Sequence, residues 1–227
     1  FTCDKFMYHA WPIMTAVVEH TERIIVGPGG AEPYSMSPGE IATFMATLDL
    51  LSNGRTALGF GMHTTKMIEW MGFPVLDRVT RLREAVELMR RVWRGEVVEF
   101  HGQEFNWSDQ CYLRFKPHRD RIPIYVSGFE EENLKLSGEI GDGSLPMITP
   151  PESASIMVGR VLKGIEAAGR NGEVDICGFG WFSVTADGRG ITTDALKDIV
   201  AYFGPYLEAE ALATIGLAPA DFAEIGR

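Results

Sequence analysis

The chain has 227 residues, 45% of them apolar and 23% charged, enough to build a substantial core in one large domain or two small ones. A formal charge of −10 and a pI near 5.0 argue against a nucleic-acid or anionic-membrane partner, because both reward clustered Lys and Arg. The three cysteines, Cys3, Cys111 and Cys177, are far apart and lack both a metal-binding interval and a disulfide framework, which predicts no metal site and a reducing, cytoplasmic setting.

The first residue is Phe1, inside what reads as a strand, so an earlier strand is expected outside the sequence. No signal sequence or run of membrane-spanning length is evident. Arg23 to Val26 (RIIV) is a compact β-branched strand, followed by Gly27-Pro28-Gly29-Gly30. Ser37-Pro38-Gly39-Glu40 then places a capping Ser before a helix-opening Pro, with Glu three residues after the cap. That helix runs through Phe44, Thr47, Leu48 and Leu51 to Asn53-Gly54, where a left-handed residue can end it.

Thr56 to Phe60 (TALGF) reads as the next strand. A longer helix from about Asp77 to Arg94 carries Val79, Leu82, Val86, Met89 and Trp93 at helical spacing. Glu96 to Trp107 alternates polar and apolar around His101-Gly102, the pattern of a β-hairpin within an excursion over residues 96–121. Ile122 to Val126 (IPIYV), Gly143 to Ile148 and Val174 to Val184 continue the strands, and Thr149-Pro150-Pro151-Glu152 repeats the capping pattern before a helix containing Ile156, Val161 and Ile165. Continuous apolar strands alternating with amphipathic helices predict an α/β fold with a parallel sheet, a (β/α)8 barrel ahead of a doubly wound sheet, in one domain over residues 1–227. The first and last strands of such a barrel have no counterpart in the sequence.

In a barrel the residues following each strand converge on one mouth. They include Asp4, Lys5, His9 and Trp11; Gly29, Gly30, Glu32 and Tyr34; Gly61, Met62, His63 and Thr64; and Ser127, Gly128 and Phe129. Gly59 and Gly61 flank Phe60 as a close-packing device or a cofactor loop. A dinucleotide fingerprint is excluded because Met62-His63-Thr64 follows Gly61 where a third glycine and a helix are needed, and no Gly-Lys-Ser/Thr marks a P-loop. Gly27 to Gly30 implies a bulge, a positive φ, or close approach by something flat, a ligand-free turn being equally compatible. His63 is either a titrating group at a strand end or a structural histidine. Hydrolytic arrangements such as Ser-His-Asp are absent.

The run Ala46-Thr47-Leu48-Asp49-x-Leu51-Ser52-x-Gly54-Arg55, with Leu58-Gly59-Phe60-Gly61, Gly72-Phe73 and Arg78-x3-Leu82-Arg83-Glu84, resembles the bacterial luciferase-like superfamily of flavin and deazaflavin oxidoreductases. The stretches RIIVGPGGAEPYSMSPGEIA and PIYVSGFEEENLKLSGEIGDG are similar to its methylenetetrahydromethanopterin reductase group. The resemblance implies a TIM-type barrel holding coenzyme F-420 or FMN at its C-terminal mouth. It also implies a bulge after RIIV with a non-prolyl cis peptide at Gly29–Gly30, and a homodimer. Three positions depart from the family pattern. Asp4-Lys5 stands for Asp-His, Thr64 for an acidic residue, and Glu130-Glu131 for the Gly-Pro that opens a helix near the cofactor phosphate. Carboxylates at a helix start suit its dipole but compete with a phosphate.

The resemblance thus implies hydride transfer between F-420 and a small or medium organic substrate. Gly29, Gly30, Met62, Ser127, Gly128 and Phe129 are then cofactor neighbours, His63, Thr64 and Asp4 the catalytic candidates, and His9 and Trp11 the substrate contacts. The alternatives are an FMN-dependent monooxygenase using O2 and a non-catalytic flavin-binding barrel.

Overall fold

The computed structural model describes residues 9–61, 65–74, 77–147, 150–171, 174–178, 197–198, 200–201 and 204–222. Helix α1 (Ala10–Glu19) starts at His9, whose Nδ1 accepts from the Trp11 N–H at 3.4 Å. Helix α2 (Pro38–Ser52) forms as its capping motif requires. The Ser37 hydroxyl accepts from the Glu40 N–H at 3.1 Å, and Asn53, with φ 56°, ends the helix in the left-handed region. After the short α3 (Thr65–Trp70), α4 (Arg78–Trp93) is capped by Asp77, which accepts from the Thr80 N–H at 3.1 Å, and it buries Leu82, Val86, Met89 and Trp93. Helices α5 (Glu131–Ile140) and α6 (Ala154–Ala167) complete the main set. Thr149, the expected cap ahead of α6, lies outside the described residues.

Strands β1 (Leu58–Gly61), β4 (Ile124–Gly128), β5 (Gly143–Pro146) and β6 (Asp175–Ile176) form a parallel sheet in the order β1-β4-β5-β6. Strands β2 (Val98–His101) and β3 (Asn106–Cys111) pair separately as an antiparallel hairpin. Leu58, Phe60, Ile124 and Val126 alternate onto the helix-facing side of the sheet and are wholly buried with Met45, Leu48, Leu88 and Met89. Each such side chain stabilises the fold by about 1.5–3 kcal/mol. The parallel α/β architecture is as expected, but the sheet does not close into a barrel among the described residues.

The RIIV segment is a correction. Among the described residues only Val26 of it pairs, with Thr56, while Ile24 and Ile25 are exposed, Ile25 by 72%. A buried parallel strand needs a neighbour on each edge, and the described residues supply this segment with one, the Arg55-to-Ala57 stretch that leads into β1.

The N-terminal end of the sheet is tied by ionic contacts. Asp49 of α2, 0% exposed, accepts from Arg119 Nε at 3.0 and 3.2 Å and from the Thr56 hydroxyl at 2.6 Å. Arg55 donates to the carbonyls of Val18, Thr21, Ile24 and Ser52. The Asp49-to-Arg55 run is thus a hydrogen-bonded knot joining α1, α2 and the segments that enter β1 and β4.

Candidate functional site

At the C-terminal end of β1 the chain after RIIV lies directly on the strand. Val26 pairs with Thr56 and Ala31 with Phe60, so five steps on one side meet four on the other, which is a bulge of one residue. Gly59 N–H donates to Pro28 O at 3.1 Å, Ala31 N–H to Gly59 O at 2.8 Å, and Gly61 N–H to Ala31 O at 2.9 Å. A Cβ on Gly59 would sit 2.3 Å from Pro28 O, and one on Gly27 1.7 Å from Ala57 O. These glycines let two backbones meet; the flat object that approaches the Gly-rich turn is strand β1 itself. The expected cis bond at Gly29–Gly30 is not formed: the described peptide bonds are all trans. A non-prolyl cis bond costs about 3 kcal/mol, and the extra residue of the bulge already shapes the turn without it.

Ser127 joins this group from β4. It is registered against Gly61, and a Cβ on Gly61 would fall 1.9 Å from its Oγ, one on Gly30 3.0 Å from it. Gly30, Gly61 and Ser127 therefore meet at the strand ends. Just past the bulge, buried Glu32 accepts from Tyr34 N–H at 2.7 Å and Ser35 N–H at 3.0 Å, folding the following turn. Arg81 of α4 holds that turn from outside, donating to Pro33 O at 3.0 Å with its guanidinium 4.7 Å from the Tyr34 ring centre.

Gly128, with φ 156°, leads from β4 toward α5. Glu130 precedes that helix and is paired with Arg78 at 3.0 Å, and Asn133 Nδ2 donates to it at 3.0 Å. Asn133 is 3% exposed, and its Oδ1 accepts no hydrogen bond among the described residues. The Glu131 N–H donates to Glu208 Oε1 at 3.1 Å. Glu208 in turn is held by Arg160 of α6, which also pairs with Glu210 at 2.8 Å. A hydrogen bond from Lys135, and then its charge, hold the Glu131 carboxyl below the usual carboxylate range.

Of the expected site residues, the structure brings together Gly29, Gly30, Ser127, Gly128 and Phe129 along the ends of β1 and β4. His9 is exposed at the start of α1, whereas Trp11 is buried, its ring centre 4.2 Å from that of Phe44 and its Nε1 3.2 Å from Met36 Sδ. Asp4, Met62, His63 and Thr64 lie outside the described residues. The reading from sequence missed Asn133, Arg160 and Glu208. A charge inside the Met157, Arg160, Val161 and Gly164 stripe is a readable anomaly, but nothing in the sequence links Glu208 to Glu131, 77 positions away. A groove of about 860 Å³ lies at the opposite end, beside Asp142, Arg170 and Asp175 where β5 and β6 begin.

The luciferase-like monooxygenase family model matches residues 1–217. The chain belongs to this family. It is similar to the 5,10-methylenetetrahydromethanopterin reductase of Archaeoglobus fulgidus, 30% identical over 195 residues, with 86% of this chain and 58% of the relative covered. An F-420-dependent glucose-6-phosphate dehydrogenase of Mycolicibacterium fortuitum is 33% identical over 174 residues, covering 72% of this chain and 50% of that one. Among solved structures, the coenzyme F-420 dependent tetrahydromethanopterin reductase of Methanopyrus kandleri superposes with a TM-score of 0.81 at 26% identity, over 92% of this chain and 65% of that one. A monooxygenase of Streptomyces bottropensis shares the fold, with a TM-score of 0.65 at 22% identity over 95% of this chain and 65% of that one. The chain spans about three fifths of the length of the curated reductases it matches.

As a member of the luciferase-like family the chain can be tested for fit to a deazaflavin or flavin. The strand ends fit its uncharged part: Gly30, Gly61 and Ser127 form a tight backbone surface, and the orphaned Asn133 Oδ1 beside Gly128 offers an acceptor to an N–H or O–H. The start of α5 does not fit a phosphate, because the Glu131 N–H that would bind one already donates to Glu208.

Proposed function

We propose that the protein is an oxidoreductase that transfers a hydride between deazaflavin coenzyme F-420 and a small or medium organic substrate. The observation that carries this reading is the bulge of Gly27 to Gly30 seated on β1 beside Ser127, in a chain whose fold follows an F-420 dependent reductase at a TM-score of 0.81. The deazaflavin, when bound, accepts or delivers the hydride.

The protein's part is orientation. Gly29 and Gly30 present backbone to one side of the ring, and Ser127, Gly128 and Phe129 border it from β4. The close approach that the glycines permit, and the backbone hydrogen bonds it allows, hold this surface against β1. By the family resemblance Met62 would contact the ring, His9 the substrate, and His63, Thr64 and Asp4 would exchange the proton that accompanies the hydride, whereas Trp11, packed on Phe44, would shape the site from behind. A homodimer in the cytoplasm is the setting this reading carries.

The test is to titrate the purified protein with F-420 and separately with FMN, following absorbance and fluorescence. Saturable F-420 binding with weak or no FMN binding is expected. Tight FMN binding without F-420 binding, or binding of neither, overturns the proposal. With F-420 bound, His63→Ala should lower turnover at least tenfold and remove one limb of its pH profile. Unchanged turnover would remove His63 from the mechanism.

A further inference from the structure

A helix start exposes backbone N–H groups that no residue of the helix can satisfy, and together with the helix dipole they make a ready site for an anion. In α5 the chain brings a carboxylate of its own to the first of these groups. The Glu131 N–H donates to Glu208 Oε1 at 3.1 Å across 77 residues of sequence. Arg160 holds Glu208 in place; it is 6% exposed, and its second carboxylate partner is Glu210 at 2.8 Å.

The surroundings of this contact also disfavour a second anion. Glu130, Glu131 and Glu132 follow one another at the helix start. Arg78 is committed to Glu130, and Arg160 has two carboxylates to neutralise. The buried atom left open beside them, Asn133 Oδ1, is an acceptor, so it repels the charged oxygens of a phosphate and would welcome a donor instead.

We infer that Glu208 is a specificity-determining residue. Its carboxylate, fixed by Arg160, occupies the amide end of α5 and closes it to phosphate, so that this helix start receives hydrogen-bond donors rather than anions. A phosphate-bearing cofactor must place its charged arm elsewhere, or displace Glu208 and leave Arg160 to neutralise the newcomer. The inference stands on the hydrogen bond and the ion pairs, and is independent of which cofactor the protein uses.

Inorganic phosphate is the probe, measured by calorimetry at fixed ionic strength on the full chain. The wild-type protein should show no saturable uptake in the millimolar range, and Glu208→Gln should bind phosphate at least tenfold more tightly. Glu210→Gln should bind it no better than wild type, because Glu210 shares Arg160 but not the Glu131 amide; it is 62% exposed. Equal binding by wild type and Glu208→Gln, absence of binding by both, or equal gain in the two variants overturns the inference. A second measurement needs no variant: the Glu131 amide of the wild-type protein should exchange its hydrogen at least tenfold more slowly than an unbonded amide. Exchange at the unbonded rate overturns the inference even if the variants fail to fold. Failure of F-420 titration alters none of these readings, so the two proposals fail separately.

Discussion

The two ends of the parallel sheet are built by different means. At the N-terminal end, charged side chains converge on carboxylates: Arg119 on buried Asp49, and Arg90 and Arg121 on partly buried Asp142, while Arg55 binds four carbonyls. At the C-terminal end the contacts beside β1 are mostly backbone on backbone, through glycines, with one buried acceptor left open. The first end is locked by ion pairs between side chains; the second keeps a backbone surface and an unfilled acceptor. This division is the one expected of a strand–helix enzyme, where one end carries stability and the other carries chemistry.

The division breaks most visibly if the ionic end is cut. Asp49→Ala should destabilise the protein by about 3 kcal/mol, the low end for a broken buried pair, because Arg119 is 31% exposed and can recover some hydration. Urea denaturation measures it, and a loss under 1 kcal/mol would mean that the knot does not carry the stability assigned to it. At the opposite end, Gly59→Ala drives a Cβ into Pro28 O. The cost of such overpacking is about 2 kcal/mol, and because the bulge must lift, F-420 affinity should fall with it. Unchanged affinity in a folded Gly59→Ala protein would detach the bulge from cofactor binding.

The same contrast explains what could be read in advance. The Asp49-to-Arg55 run is the most recognisable part of the sequence, and it proves to be the ionic knot: the residues that announce the family hold the fold. The cap at Ser37 and the α4 stripe were legible because each is set by neighbours within four positions. Strand order was legible only as alternation, and the fate of RIIV was not, since composition cannot tell whether a strand finds a second neighbour. The glycines were legible as special but not in their purpose; only the structure reveals that strand β1 lies against them. Glu208 could not be found, because its meaning rests on a contact between distant segments.

A third experiment addresses the ionic end through pH. Burial pushes Asp142 up, but the Ile124 N–H, the hydrogen bond from Arg121 and the charges of Arg90 and Arg121 outweigh it and hold the carboxyl below the ordinary Asp value. A carboxyl with a depressed folded pKa contributes stability that is present above the unfolded value, near 4, and lost as pH falls through the folded one. The wild-type advantage over Asp142→Asn in urea midpoint should therefore hold at neutral pH and shrink below about pH 4. A constant difference down to pH 2 would assign the effect of the substitution to packing.

The smallest effect is expected on the sheet face shared by β4 and β6, where the Tyr125 hydroxyl donates to Asp175 Oδ2 at 2.8 Å. Burial, then this hydrogen bond and the Asp175 charge, push the Tyr125 phenol up to about 12. For a group whose folded pKa is raised, the linked stability is complete below the unfolded value, near 10, and is lost as pH rises from there through the folded value. Phenolate absorbance should therefore contain one titration delayed to about pH 12, absent in Tyr125→Phe, provided the fold survives there. At neutral pH, Tyr125→Phe should cost about 1 kcal/mol, the net worth of one hydrogen bond, and leave F-420 affinity unchanged, because Tyr125 lies near the start of β4 and Ser127 near its end. A change in affinity from a residue so placed would mean that the two ends of the sheet are coupled through β4, and their separation would then describe structure without describing function.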